Sequence, residues 1–298
     1  MRAFLSLLVA LALSLTLAAA ITYPAWLLVG LVAEQPFHRV MHRMAMLVGV
    51  CILVFLTRRL GVADRVSLGY GIPRPLFIRQ MLMAFVIGVV LMMPLVLMLY
   101  GLDLRTVKPG FEWSGRLPGA IAQGLGTGFA VAFIEETFFR GVMLTAIRRE
   151  SGVRWAIILT SALYAALHFM GGSLKIPAEQ VVWANGFDVL AKLFDAYAHP
   201  IALLDSLAAL FAVGVMLALV RLRTGAIAAS IGLHAGWVCV ITVMRNASLP
   251  NAGASQVWLV GSYDGVIGWG ACALLICIIL GYWKLASNDE RLLMGGSR

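Results

Sequence analysis

Residues 134–140 read IEETFFR, and the chain on both sides of them is strongly apolar. An ionisable side chain at the centre of a bilayer costs about 2.5–3.5 kcal/mol on insertion scales, so it is retained only where it faces protein or a wet cavity. Glu136 and Arg140 are four residues apart and share one helix face, where they can pair. Glu135 points elsewhere and has no partner in its own segment. A paired carboxylate beside an unpaired one is typical of a buried general base with a neighbour that positions it.

The composition is that of a polytopic membrane protein. Hydrophobic residues make up 61% of the chain and charged residues only 12%, whereas about 25% is usual in soluble domains. The net charge of +9 comes from basic residues scattered through short loops, with no basic stripe, which excludes nucleic acid as a partner. Four cysteines lie in apolar runs without metal-binding spacing, so we expect no disulfide framework.

Hydropathy predicts an all-α, polytopic membrane helical bundle of about eight transmembrane helices. A spanning helix needs about 20 apolar residues. The predicted spans are about 3–33, 44–56, 77–100, 117–147, 154–170, 200–220, 225–245 and 264–283. We expect Pro24 to kink or end the first of them. The start of the chain also resembles a signal peptide, and cleavage there is the alternative interpretation.

The distribution of lysine and arginine predicts the orientation. With the N-terminus inside, the inner segments carry 14 basic residues and the outer segments 8, and cytoplasmic loops are the ones enriched in Lys and Arg. We therefore expect an integral protein of the bacterial inner (plasma) membrane with both termini cytoplasmic. The lipid bilayer would then be one of its partners.

Polar residues on three separate spans fall at one depth. Glu135, His168 and His234 are each about 15–21 Å from the cytoplasmic end of their helices, near the middle of an apolar core about 30 Å thick. A lone intramembrane histidine is often a packing residue, but a set at one depth favours a chamber. Tyr164 lies one turn before His168 and is expected to support the imidazole by packing.

Small residues are concentrated on two of these spans. Gly124, Gly126 and Gly128 precede Glu135, and residues 225–236 are rich in glycine, alanine and serine. Small faces allow helices to approach closely in lipid, so we expect these two spans to pack tightly.

Three motifs together resemble the CPBP family, the CAAX prenyl protease and bacteriocin-processing group also called Abi. They are Glu-Glu-x-x-x-Arg at 135–140, aromatic-x-x-x-His at 164–168, and the later intramembrane His234. The resemblance covers residues 117–245, which we interpret as a CPBP/Abi-like catalytic core. Residues 1–116 would hold the N-terminal transmembrane helices and loops, and residues 246–298 the last transmembrane helix and a cytoplasmic tail.

The resemblance implies an all-α bundle around a polar intramembrane chamber. It also implies an intramembrane endopeptidase of the CAAX prenyl protease type, whose partner is a membrane-anchored peptide or protein substrate, membrane-associated or lipidated. Glu135 would be the general base that draws a proton from water, with Glu136 and Arg140 as its supporting pair. His168 would orient that water, and His234 would stabilise the oxyanion. The alternative is a catalytically silent membrane scaffold or bacteriocin-immunity protein of the same family. A transporter is disfavoured because the charged residues show no repeated halves.

Two positions depart from the family pattern. Tyr164 stands where phenylalanine is usual, and Val238 stands where the pattern has asparagine, four residues after His234. Loss of an oxyanion donor typically costs about 10²–10³ in rate. Nearby residues that offer a substitute donor are Trp237, Thr242 and Asn246.

Metal dependence stays open at this level. Two histidines and a glutamate can hold zinc, but the chain has no His-Glu-x-x-His on one helix. The family is described both as metalloproteases and as metal-free glutamate proteases. If a metal is used, we expect zinc on Glu135, His168 and His234; we favour metal-free chemistry.

Overall fold

The computed structural model describes residues 1–171, 174–261 and 263–287. The last two basic residues of the predicted cytoplasmic tail, Arg291 and Arg298, lie outside them. The main elements are α1 (Arg2–Gly30), α2 (Phe37–Arg59), α3 (Arg74–Gly101), β1 (Arg105–Val107), α4 (Trp113–Glu136), a π-helix (Thr137–Met143), α5 (Leu144–Leu167), α6 (Asn185–Lys192), α7 (Leu204–Thr224), α8 (Ala228–Ala247), β2 (Ser248–Pro250) and α9 (Trp269–Ser287). Short 3₁₀-helices occur at Ala178–Gln180, Asp195–Ala198, Pro200–Leu203 and Val257–Leu259.

The all-α membrane fold class is confirmed. Within the described residues, six helices are long and apolar enough to cross a membrane. One of them, Trp113–Leu167, is 55 residues long and is interrupted at Gly152, whose φ of 82° favours glycine. A shorter apolar helix covers Trp269–Lys284. Dividing the long run at Gly152 and adding the short helix accounts for the eight predicted segments. α1 continues through Pro24 to Gly30, so the proline does not end that helix.

One end of the bundle, here called the basic end, brings together the segments that the sequence predicts to be cytoplasmic. The N-terminal amine donates to Ser151 Oγ at 2.7 Å. Arg149 donates to the carbonyl of Gly61 at 2.7 Å. The guanidinium of Arg223 lies 4.9 Å from the centre of the Tyr282 ring. The alternation of helices therefore matches the predicted sidedness, and which membrane face each end occupies stays a prediction.

α8 lies between α3 and α4, and glycines set how closely these helices approach. A Cβ on Gly128 of α4 would lie 2.6 Å from the carbonyl oxygen of Ala235, and one on Gly124 would lie 3.0 Å from that of Cys239. A Cβ on Gly236 of α8 would lie 2.6 Å from the carbonyl oxygen of Phe85 in α3. The predicted close packing at the small residues is confirmed at these contacts. A Cβ on Gly126, by contrast, would meet no atom within 4 Å.

The connection between α2 and α3 does not stay at the basic end, as a simple loop would. Its residues pack along the helix that follows Glu136. The carbonyl of Ser67 accepts a hydrogen bond from the Thr145 hydroxyl at 2.9 Å, and the hydroxyl oxygens of Tyr70 and Thr137 are 2.6 Å apart. Irregular backbone at membrane depth is tolerated only where it is buried in protein or lines a cavity. This segment is therefore packed into the bundle beside the candidate site.

The opposite end, here called the loop end, is joined by a small antiparallel pair. β1 pairs with β2 with Thr106 opposite Leu249. Arg105 is 3% exposed and donates from Nε to Ser248 Oγ at 2.8 Å and from Nη1 to the carbonyl of Gly265 at 3.1 Å. The arginine thus connects the sheet to the turn that precedes α9.

Candidate active site

The helix that carries the two glutamates changes geometry immediately after them. α4 ends at Glu136, and the next seven residues, Thr137–Met143, form a π-helix before regular α geometry resumes. π-helical turns are rare and are found mostly at functional sites. Here the turn places Arg140 and the buried Phe139 toward the interior of the bundle.

Glu136 is fully buried and is bound by cationic or polar groups from two helices. Its Oε1 accepts from Arg140 Nη1 at 3.0 Å and lies 2.9 Å from His234 Nδ1 on α8. Arg140 is 1% exposed and His234 3% exposed. Because a carboxylate only accepts hydrogen bonds, this contact places the proton of His234 on Nδ1. Nε2 then accepts a hydrogen bond in the neutral imidazole and donates one in the imidazolium.

Arg140 is held on three sides. Besides Glu136, it donates from Nη2 to the carbonyl of Gly214 on α7 at 3.1 Å. Its guanidinium carbon lies 4.7 Å from the centre of the Tyr164 ring. A cation over an aromatic face is stabilising by about 0.5–2 kcal/mol, more where it is desolvated. These contacts fix the arginine between α4, α5 and α7, so it holds Glu136 in place rather than reaching a substrate.

Glu135 is the accessible carboxylate of the pair. Its side chain is 28% exposed, and its Oε2 lies 3.9 Å from His234 Nε2. That separation is too long for a direct hydrogen bond but is suited to one bridging water. Glu135 Oε2 has no hydrogen-bond partner within the described residues. Since buried polar atoms are normally hydrogen-bonded, this oxygen is suited to binding water or substrate.

His168 reaches the site from the end of α5. The helix ends at Leu167, and His168 is its capping residue. Its Nδ1 lies 2.8 Å from the carbonyl oxygen of Tyr164, which places the proton on Nδ1 and leaves Nε2 available. The rings of Tyr164 and His168 are 4.4 Å apart, as the sequence predicts for a packing support. His168 also lies close enough to Glu135 and His234 to interact with their charges.

The predicted residues therefore form one cluster, assembled from α4, the π-helix, α5 and α8. Glu136, Arg140 and His234 form its buried part, while Glu135 and His168 form its accessible part. Tyr164 lies between them, with its ring 6.1 Å from that of His234. The link between Glu136 and His234 is not predicted by the sequence, because the two residues are 98 positions apart.

Two of the candidate substitutes for the missing asparagine lie too far along α8. At 1.5 Å per residue, Thr242 and Asn246 are about 12 and 18 Å beyond His234. Asn246 instead bonds the carbonyl of Thr242 at 2.9 Å. Trp237 is buried in the apolar core formed by α3, α7 and α9. Val238 itself is only half-buried, one turn from His234.

The metal alternative has no support in the arrangement of the side chains. Among the described residues, no three His, Cys, Asp or Glu side chains are grouped so that they could hold a metal ion. Each histidine does keep Nε2 free, as a metal ligand would, but the three side chains are not grouped closely enough around one point to hold the ion. Glu135, His168 and His234 are therefore not arranged as a zinc site.

The comparison with known families agrees with the motifs. The family model described as type II CAAX prenyl endopeptidase, Rce1-like, matches residues 117–240. These residues carry an Rce1-like domain of the CPBP family. No curated protein and no solved structure matches the chain. The Rce1-like domain begins in α4 and ends in α8, so it contains every residue of the cluster.

Proposed function

We propose that the chain is an intramembrane endopeptidase of the CAAX prenyl protease type, which hydrolyses a peptide bond of a membrane-associated or lipidated peptide. The observation that carries the proposal is Glu135 Oε2, a buried oxygen that has no partner among the described residues and lies 3.9 Å from His234 Nε2, on a side chain that is 28% exposed. This spacing leaves room for the oxygen of a water molecule between a base and a second polar group. The Rce1-like match supports the same activity.

Each residue then has a distinct task. Glu135 accepts a proton from water as the water oxygen bonds to the carbonyl carbon, and His168 orients that water through Nε2. His234, in its imidazolium form, donates from Nε2 to the oxyanion. When the C–N bond breaks, Glu135 returns the proton to the leaving nitrogen. One water is consumed, and a new carboxyl terminus and a new amino terminus are formed.

The buried pair acts on the histidine rather than on the substrate. Glu136 holds His234 through Nδ1, and Arg140 holds Glu136. A donor that is fixed before the reaction stabilises developing charge without reorganisation, which is often the largest catalytic contribution. We therefore assign Glu136 and Arg140 to positioning and Glu135, His168 and His234 to contact with the reacting atoms.

The second candidate function is a catalytically silent scaffold or bacteriocin-immunity protein of the same family. Val238 favours it, since the side chain has no donor to offer the oxyanion. A scaffold needs the shape of the bundle but not the basicity of Glu135. Removing that basicity should therefore abolish a protease function and leave a scaffold function intact.

The experiment is turnover by purified protein in detergent or liposomes. The probe is a fluorogenic peptide with a farnesylated cysteine, run beside the same peptide without the lipid. Glu135→Gln should abolish cleavage, because it removes the base while keeping the shape of the side chain. Thermal unfolding of both proteins is the control for folding. If wild type does not cleave either peptide and the cellular effect survives Glu135→Gln, the scaffold function is correct.

We also propose that the protein lies in a bacterial inner membrane with the basic end in the cytoplasm. The excess of arginine and lysine at that end supports this orientation. In this orientation the connection that follows His168 leads to the outer face of the membrane.

A further inference from the structure

An aromatic residue outside the Rce1-like domain lies over the accessible side of the cluster. Tyr263 is in the turn between β2 and α9, and its ring packs edge-on against Phe169, with 5.1 Å between centroids. Phe169 directly follows His168. The carboxylate of Glu135 is near enough to act electrostatically on the Tyr263 phenol. The ring contact with Phe169, together with this electrostatic effect of Glu135, places the phenol beside the accessible part of the cluster.

The turn that carries Tyr263 is firmly anchored. Asp264 Oδ1 accepts from the backbone N–H groups of Val266 and Ile267 at 2.9 and 2.8 Å. Ser206 on α7 donates to the carbonyl of Ile267 at 2.7 Å, and Arg105 donates to that of Gly265. A group on such a turn is held in position before a substrate arrives, as a catalytic donor requires.

The phenol is suited to donate a hydrogen bond at neutral pH. Tyr263 is 42% exposed, so a substrate can reach it. Its hydroxyl is nevertheless surrounded by enough protein for burial to raise the pKa of the phenol. The carboxylates of Asp264 and Glu135 add to the rise in this pKa, while Arg245 opposes it. The group therefore stays protonated across the physiological range and keeps its O–H donor.

On α8, no side chain other than His234 is placed to donate a hydrogen bond to the oxyanion. Val238 offers no hydrogen bond one turn from His234, Thr242 and Asn246 are too far along α8, and Trp237 is in the apolar core. We propose that the Tyr263 hydroxyl donates to the carbonyl oxygen of the scissile peptide and, with His234, stabilises the oxyanion. This proposal rests on the proposed protease function and adds a residue from outside residues 117–240 to its site.

The test is Tyr263→Phe, which keeps the ring on Phe169 and removes only the hydroxyl. We expect kcat and kcat/KM to fall together by about 10²–10³, as for other oxyanion donors. Val238→Asn in the Tyr263→Phe background should restore part of the lost kcat by supplying a donor one turn from His234. The matched control is Tyr23→Phe, which removes a hydroxyl beside Trp26 in α1 and should leave turnover unchanged.

Wild type and Glu135→Gln are assayed in parallel with the farnesylated and unlipidated peptides. Wild-type cleavage that is lost in Glu135→Gln establishes the protease, whatever the result for Tyr263. With that established, a Tyr263→Phe variant that keeps the wild-type kcat would overturn the role of Tyr263. A change in KM alone would overturn it too, because that pattern indicates substrate binding rather than transition-state stabilisation. The melting temperature of Tyr263→Phe should equal that of wild type.

Discussion

Glu136 is the residue on which the geometry of the cluster depends, although it is the less accessible of the two glutamates. One of its oxygens binds both Arg140 and His234. A buried charge that loses its partner is costly, about 3–5 kcal/mol for a broken buried pair. The same oxygen therefore stabilises the fold and sets the proton position of His234. Each glutamate has one oxygen without a partner among the described residues, but only the Glu135 side chain is partly exposed, so Glu135 is the one left for chemistry.

Loss of either histidine should lower the cleavage rate far more than loss of the Tyr164 hydroxyl. His168→Ala and His234→Ala each remove an imidazole that contacts the reacting atoms, and acid–base groups of this kind contribute about 10²–10⁴ in rate. Tyr164→Phe keeps the ring over Arg140 and against His168, so its turnover should stay close to wild type. Cleavage rates of the three variants check this. Equal activity in wild type and both alanine variants would show that the cluster is not the catalytic site.

The packing of α4 against α8 determines the distance between the base Glu135 and the oxyanion donor His234. α4 carries both glutamates, α8 carries His234, and glycines of α4 pack directly on the α8 backbone. In lipid, helix association depends on close packing because the surrounding tails are as apolar as the side chains. The distance from Glu135 to His234 is thus set about two turns away, at Gly128.

Gly128→Ala should separate these helices, whereas Gly126→Ala should not. A Cβ at 128 would lie 2.6 Å from the Ala235 carbonyl oxygen, so backbone must move. Overpacking of this kind costs about 1–3 kcal/mol, and a shift of about 1 Å in catalytic groups costs about 10²-fold in rate. We expect Gly128→Ala to lower both melting temperature and turnover.

Gly126→Ala is the matched control, because a Cβ there meets nothing within 4 Å. Alanine is the better helix former by about 1 kcal/mol, so this variant should be at least as stable as wild type. Thermal unfolding in detergent and peptide cleavage measure both variants. Equal losses in the two variants would show that helix contact at Gly128 does not set the site.

Over the whole molecule, the basic end gathers the N-terminus, the start of the α2–α3 connection, the turn at Gly152 and the end of α7. The loop end carries the β1–β2 pair, the 3₁₀-helices and the turn with Tyr263. α5 ends at Leu167, next to His168, and the chain continues from there to the loop end, so the orientation of the bundle decides on which side of the membrane the connection beside the site lies.

Reporter fusions after residues 65, 185 and 298 test this orientation. Position 65 is at the basic end and position 185 begins α6 on the loop side. We expect positions 65 and 298 to be cytoplasmic and position 185 to be outside, following the excess of Lys and Arg. A fusion after residue 108, just beyond the end of β1, should behave as position 185 does. A C-terminus exposed on the outer side would contradict the proposed topology.

The sequence by itself determined the features that depend on local composition and short spacing. Hydropathy over about 20 residues identifies the helices, and four-residue spacing pairs Glu136 with Arg140 and Tyr164 with His168. Motif order led to the CPBP resemblance, which the Rce1-like match over 117–240 confirms.

Only the tertiary structure decided the contacts between distant segments. His234 binds Glu136 across 98 residues, Tyr70 bonds Thr137 across 67, and Tyr263 packs on Phe169 from beyond the matched region. The π-helix after Glu136 has no signature in the local sequence either. The physical reason is that hydropathy and helical spacing describe one segment at a time. Proton positions, unpartnered oxygens and donor geometry depend on which side chains from other helices pack against that segment.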